Sequence, residues 1–270
     1  MRIAHRLPAP SLSLFVDRYW SWESDGGALL RLLPLMPSPG GLEIFFHYAT
    51  PFAVGTDTQM QTLPHAHVVC VRSRPVELFQ HGPLGFVAVR VRAGAGQRLT
   101  GMPTALLCDR FTDAADIWGP AVHTLLQQLA EAADMNVRAA ILDRFLSARL
   151  QPAGQGVNVQ HAISRLLQQA LRVETLANEI GISTRHLENR FHDATGISPA
   201  RFRRLARLRR SLRELLLAPP DSLLTELIDP AYFDQAQQVR EFRELTGFSP
   251  GELRRAAPTY SHFYNRPWPR

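Results

Sequence analysis

The chain has 270 residues, 45% hydrophobic and 20% charged, a composition that excludes a disordered or fibrous protein and leaves room for two globular domains. No apolar run approaches the roughly 18 residues that span a bilayer, and the opening MRIAHRLPAP has no signal-peptide core, so the expectation is a cytoplasmic protein without a membrane partner. The net charge of +6 is uneven, with 13 Arg against 12 acids in residues 1–156 and 17 Arg against 12 acids in residues 157–270, which points to a polyanion-binding module in the second half.

The first 112 residues read as strands and turns. LEIFFHYA (42–49), HAHVVCVR (65–72) and LGFVAVRVRA (84–93) are rich in Val, Ile and Phe, the side chains that fit a pleated surface. PSPGG (37–41) and the Pro and Gly positions near 75, 82 and 83 mark turns. Trp20, Trp22, Phe45, His47 and Tyr48 could line a ligand pocket or serve as plain core. On a strand, His65 and His67 would share one face; with His47 or Glu43 they could hold a metal, as in a cupin-like enzyme. Gly94-Ala95-Gly96 hints at a dinucleotide loop, but Leu99 occupies the third glycine position. No P-loop, nucleophile elbow or triad spacing is present, and no cofactor is expected. Cys70 and Cys108 are far apart in sequence and form no CxxC pair, so they read as reduced packing residues.

From Ala114 the period becomes helical. Ile117, Ala121, Leu125, Leu126 and Leu129 make one stripe and Ala140, Ile141, Phe145 and Leu146 another, giving a helical hairpin over 117–150. QPAGQGVN (151–158) is a polar break. A helix near 159–171 leads to LANEIGISTRHLENRF (176–191). Leu176, Ala177 and Ile180 form an apolar stripe, Gly181 can end that helix in a left-handed turn, and Ser183 can cap the next, whose Leu187 and Phe191 stand four apart. Two short helices meeting at a glycine turn describe a helix-turn-helix.

ARFRRLARLRRSLRELLL (200–217) then forms a long helix with Leu205, Leu208, Leu212 and Leu215 buried; its seven Arg between 201 and 213 suit phosphate contact or acidic neighbours. Residues 222–244 suggest a second helix-turn-helix. RFHDATGISP (190–199) and EFRELTGFSP (241–250) repeat one pattern about 51 residues apart, as two related units would.

These motifs resemble the DNA-binding domain of AraC-family transcription regulators. The resemblance rests on LA-x-x-I-G-I-S-x-R-x-L-x-x-R-F in the first unit and on Asp234, Gln235, Arg240, Glu241, Phe242 and TGFSP in the second. It implies two reading units bridged by a long helix over residues 158–258, a linker at 151–157 and a tail at 259–270. LFVDRYWSWE (14–23), FVAVRVRAGAGQRLTGMP (86–103) and DRFTDAADIWG (109–119) are similar to the sensor region of one branch of the family. The implied fold class is α+β, with a β-rich, cupin-like sensor domain and helical hairpin over residues 1–150 and an all-α C-terminal domain. Implied partners are double-stranded operator DNA, RNA polymerase, a small-molecule effector and a second copy of the chain. Base-facing sites fall on Arg185, Glu188 and Asn189, whose groups suit guanine, cytosine and adenine edges; Thr184, His186 and Arg190 flank them. Gln235, Gln237 and Arg240 correspond in the second unit, and Arg204 and Arg207 are candidates on the long helix. The second unit departs from the pattern: Ala231-Tyr232 replaces Gly-Phe, Pro230 stops the leading helix, and Gln237-Gln238 replaces His-Phe. Its helix is therefore expected to be less firmly placed. A cupin-like metal-dependent enzyme and a ligand-free regulator acting through protein partners are the rival readings.

Overall fold

The computed structural model describes residues 2–25, 30–31, 41–56, 59–151, 159–169, 171–217 and 235–256. The strands among the described residues are β1 (Arg2–Arg6), β2 (Val16–Ser24), β3 (Leu30–Arg31), β4 (Leu42–His47), β5 (Ala53–Thr56), β6 (Gln59–Thr62), β7 (Ala66–Val69), β8 (Leu78–Gln80), β9 (Leu84–Val91) and β10 (Phe111–Asp113). A six-stranded sheet runs β1-β2-β9-β4-β7-β10 and a four-stranded sheet β3-β8-β5-β6, every pairing antiparallel. The three segments richest in Val, Ile and Phe became β4, β7 and β9, which lie side by side within the larger sheet.

Side-chain alternation gives this sheet two buried faces. Ile44 and Phe46 on β4, with Val87, Val89 and Val91 on β9, join the core shared with the helices. Phe45, Phe86, Ala88, Trp20 and Trp22 point the other way, into a second apolar cluster that includes Leu78 from the smaller sheet and Phe52 just before β5. His65 precedes β7 and is exposed, whereas His67 lies within β7 and is buried. Both stand beside His47: His65 Nδ1 lies 3.1 Å from His47 O, and the His67 ring centroid lies 5.3 Å from that of His47.

Helix α1 (Gly96–Thr100) stands between β9 and β10, and α2 (Ala114–Trp118), α3 (Ala121–Glu131) and α4 (Met135–Ser147) follow β10. Asp113 caps α2 by accepting from Ala115 N at 2.8 Å, and Asp134 caps α4 by accepting from Asn136 N at 2.7 Å and Val137 N at 3.0 Å. The α3–α4 hairpin matches the sequence expectation: of the expected α4 stripe, Ile141 and Leu146 are buried and Phe145 packs against the core, while Ala140 is exposed. Met135, Ala139 and Leu142 complete the buried face. Arg138 joins it: it pairs with Glu23 at 2.7 Å and lies 4.1 Å over the Tyr48 ring. Tyr19 Oη donates to Asp143 at 2.7 Å, a second polar tie from α4 to the sheet.

The C-terminal part is helical: α5 (Gln160–Gln168), α6 (Val173–Ile180), α7 (Thr184–Thr195), α8 (Pro199–Leu217), α9 (Gln235–Thr246) and α10 (Pro250–Ala256). The α+β architecture expected from sequence is the one observed. One apolar cluster runs unbroken from Leu12 through the sheet and hairpin to Phe191, Phe202 and Leu253. Among the described residues, no helix is long and apolar enough to cross a membrane.

Candidate nucleic-acid interface

The first helix-turn-helix is α6 and α7. Gly181 ends α6 at φ 75°, ψ 33°, a left-handed conformation in which a Cβ would be strained. Ser183 caps α7 by accepting from His186 N at 3.2 Å. Leu176, Ala177, Leu187 and Phe191 are buried, which locks the two helices together and fixes which side of α7 faces out. Arg185, His186, Glu188 and Asn189 are exposed on that outer side, with Thr184 and Arg190 half-buried at its margin.

The repeat seen in sequence is a repeat of hydrogen bonds. Thr195 Oγ1 donates to Phe191 O at 2.8 Å and accepts from Ile197 N at 3.4 Å. Thr246 Oγ1 donates to Phe242 O at 2.7 Å and accepts from Phe248 N at 3.1 Å. Gly196 (φ 78°) and Gly247 (φ 80°) follow in left-handed conformation. Ser198 Oγ then accepts from Arg201 N at 3.3 Å to open α8, and Ser249 Oγ accepts from Glu252 N at 3.3 Å to open α10. Ser249 N in turn donates to the Glu252 carboxylate at 2.7 Å, completing a capping box.

The arginine run of α8 braces the protein internally. Arg204 donates to Glu241 at 3.0 Å and pairs with Glu244; Arg207 pairs with Glu241 at 2.6 Å, and Glu241 is only 7% exposed. This revises the expectation of phosphate contact for Arg204 and Arg207: carboxylates from α9 take their guanidinium groups, and the charge pairing raises the Arg204 pKa. Arg203 donates to Leu171 O at 3.0 Å, Arg210 to Leu167 O at 3.2 Å and Arg201 to Arg72 O at 3.4 Å. One helix thus ties α9, the α5–α6 connection and the β part together. Glu241 and Glu244 were the partners to find, and the only sequence cue was their i, i+3 spacing on α9.

In the second unit, Arg240 is exposed and Gln237 half-buried. Gln238 is 5% exposed, the core position expected for it, and neither glutamine is without a partner. Gln235 opens α9, though its side chain lies outside the description. Pro230, Ala231, Tyr232 and Asp234, on which the expected irregularity of the second turn rests, lie outside the described residues, as do most of the linker at 151–157 and the tail at 259–270.

Trp20, Trp22, Phe45 and His47 do come together, between the sheets. Trp20 and Phe45 ring centroids are 6.1 Å apart, Trp22 and Phe86 6.4 Å, Phe45 and His47 6.1 Å, and His47 and His67 5.3 Å. Among the described residues, neither ring nitrogen of the buried His47 has a hydrogen-bond partner. Burial holds the His47 pKa well below its usual value, with His67 and His65 adding to the effect, and burial brings His67 down to about 4. Of the candidate metal ligands, Glu43 is committed to Arg90 at 2.7 Å and Trp20 Nε1 at 3.1 Å. Among the described residues, no three His, Cys, Asp or Glu side chains are grouped to hold a metal.

Among the described residues, the geometry defines one helix-turn-helix, α6 and α7, joined by the long α8 to α9 and α10 and packed on a β-rich domain. Residues 176–256 match a family described as a helix-turn-helix domain, and residues 4–113 match a domain of unknown function, DUF6597. A stretch of 144 residues is 28% identical to the probable thc operon regulatory protein of Rhodococcus erythropolis, covering 52% of this chain and 41% of that protein. The chain thus spans well under half the length of this relative. Among solved structures, ToxT from Vibrio cholerae is similar at TM-score 0.47 and 8% identity, over 94% of this chain and 98% of that one. The AraC-like transcriptional activator CuxR is similar at TM-score 0.24 and 14% identity, over 78% and 87%. The likeness of the C-terminal part of the chain is thus to a helix-turn-helix domain family.

Proposed function

We propose that the protein is a sequence-specific DNA-binding transcription regulator controlled through its N-terminal domain. The observation that carries this reading is the exposed face of α7. Arg185, Glu188 and Asn189 stand on it with their donors and acceptors turned outward, while Leu187 and Phe191 hold the opposite face in the core. A helix so mounted can enter a major groove, where Arg reads guanine O6 and N7, and Asn reads adenine N6 and N7. His186 and Arg190 then position the helix on phosphates. RNA polymerase, a second copy of the chain, a cytoplasmic location and the absence of catalysis belong to the same reading.

The aromatic layer between the sheets supports a small-molecule effector. A buried imidazole with both nitrogens unmatched costs about 1–3 kcal/mol, and a ligand that hydrogen-bonds His47 and stacks among Trp20, Trp22 and Phe45 would recover it. The metal-dependent enzyme reading is disfavoured because Glu43 is already paired with Arg90 and Trp20. The test is selection of genomic fragments by the purified protein, followed by sequencing. A shared motif near promoters is expected; recovery of fragments without any common sequence would contradict the reading.

A further inference from the structure

Cys70 and Cys108, separated by 38 positions, meet in the fold with their sulfurs 3.8 Å apart. Cys70 follows β7 and is 5% exposed. Cys108 ends a 3-10 turn (Thr104–Leu107) and is half-buried, the more exposed residue of the two. Contact with Cys70, and more weakly the Arg201 guanidinium, pulls the Cys108 pKa down. The more exposed thiol of such a pair attacks and the buried one resolves.

The pair sits where the β part meets the first helix-turn-helix unit. Cys108 Sγ lies 3.7 Å from the carbonyl oxygen of Gly196, the residue that closes α7. A Cβ at Gly196 would stand 2.2 Å from that sulfur, so α7 is seated directly on Cys108.

We propose that Cys70 and Cys108 form a reversible oxidation site whose state is transmitted to the end of α7. The oxidant class is a peroxide. The Cys108 thiolate attacks one peroxide oxygen; the S–O bond forms, the O–O bond breaks, and the departing hydroxide takes a proton to become water. Cys70 sulfur then attacks the Cys108 sulfenic acid; the S–S bond forms, the S–O bond breaks, and hydroxide leaves with the Cys70 proton as a second water. Two thiols lose two electrons and one hydrogen peroxide becomes two waters. A disulfide needs an S–S distance of about 2.05 Å, so the sulfurs must close by more than 1.5 Å, and the packing of Cys108 on Gly196 changes with them.

The experiment treats the full chain with hydrogen peroxide and follows intact mass, free thiols and amide exchange in peptides covering α7. The expected product is 2 Da lighter, monomeric, without free thiols, and restored by dithiothreitol. Cys70→Ser should stop at a sulfenic acid that dimedone traps on Cys108; Cys108→Ser should stay unreacted at the same dose. Exchange around Phe191–Ile197 should differ at least threefold between the two states of the wild type. Retention of both thiols, first reaction at Cys70, or a disulfide that leaves this exchange unchanged would overturn the proposal. None of these readouts requires DNA, so failure here is distinct from failure of the regulator reading.

Discussion

Ser183 and Gly181 show how few atoms set a reading head. A single hydroxyl takes one of the first amide donors of α7, and one missing Cβ lets the chain turn at φ 75°. Replacing Ser183 by Ala should cost about 1 kcal/mol, seen as a lower melting temperature. Gly196→Ala should cost more, since strain at φ 78° adds to a clash with Cys108. Both glycine turns were legible in the sequence because the residue type itself dictates the backbone. His47 and His67 give a pH prediction. Both are neutral when folded, with His67 near 4 against about 6.5 for an exposed imidazole. The unfolded chain therefore binds more protons below about 6.5, so stability is full above that pH and falls as pH drops toward 4. Melting temperature followed from pH 7.5 to 4.5 should decline over that window, and His47→Leu should flatten part of the decline. An unchanged profile in the variant would remove His47 from the account.

At the scale of elements, α8 separates what a sequence carries locally from what only a fold reveals. Its buried stripe of Leu205, Leu208, Leu212 and Leu215 follows from helical periodicity and is buried in the structure. The fate of Arg204 and Arg207 does not follow, because their partners stand 34 to 40 positions away on α9. Cys70 and Cys108 were likewise invisible as a pair, as was the burial of Arg138 on the apolar face of α4. Arg207→Ala leaves a nearly buried Glu241 with less compensation and should destabilise the protein by roughly 2–4 kcal/mol, measured by denaturant unfolding. The same substitution should leave the salt dependence of DNA binding unchanged. A phosphate contact would instead lower the slope of log affinity against log salt by about 0.9.

Across the whole molecule, the apolar core is continuous from the β sheets to the last helix, and Arg201 reaches from α8 to the backbone of Arg72. A change in the N-terminal domain can therefore reach the reading helix through packed side chains. The central claim is that α7 reads bases. It is tested most directly by titrating wild type, Arg185→Ala, Asn189→Ala and Arg240→Ala against single-base variants of a selected site. Arg185→Ala and Asn189→Ala should each lose about 1–3 kcal/mol on the selected site and lose discrimination at one base pair. Arg240→Ala should weaken all variants by a similar, smaller amount. If Arg185→Ala and Asn189→Ala weaken every site equally and keep full discrimination, α7 does not read bases and the account is contradicted.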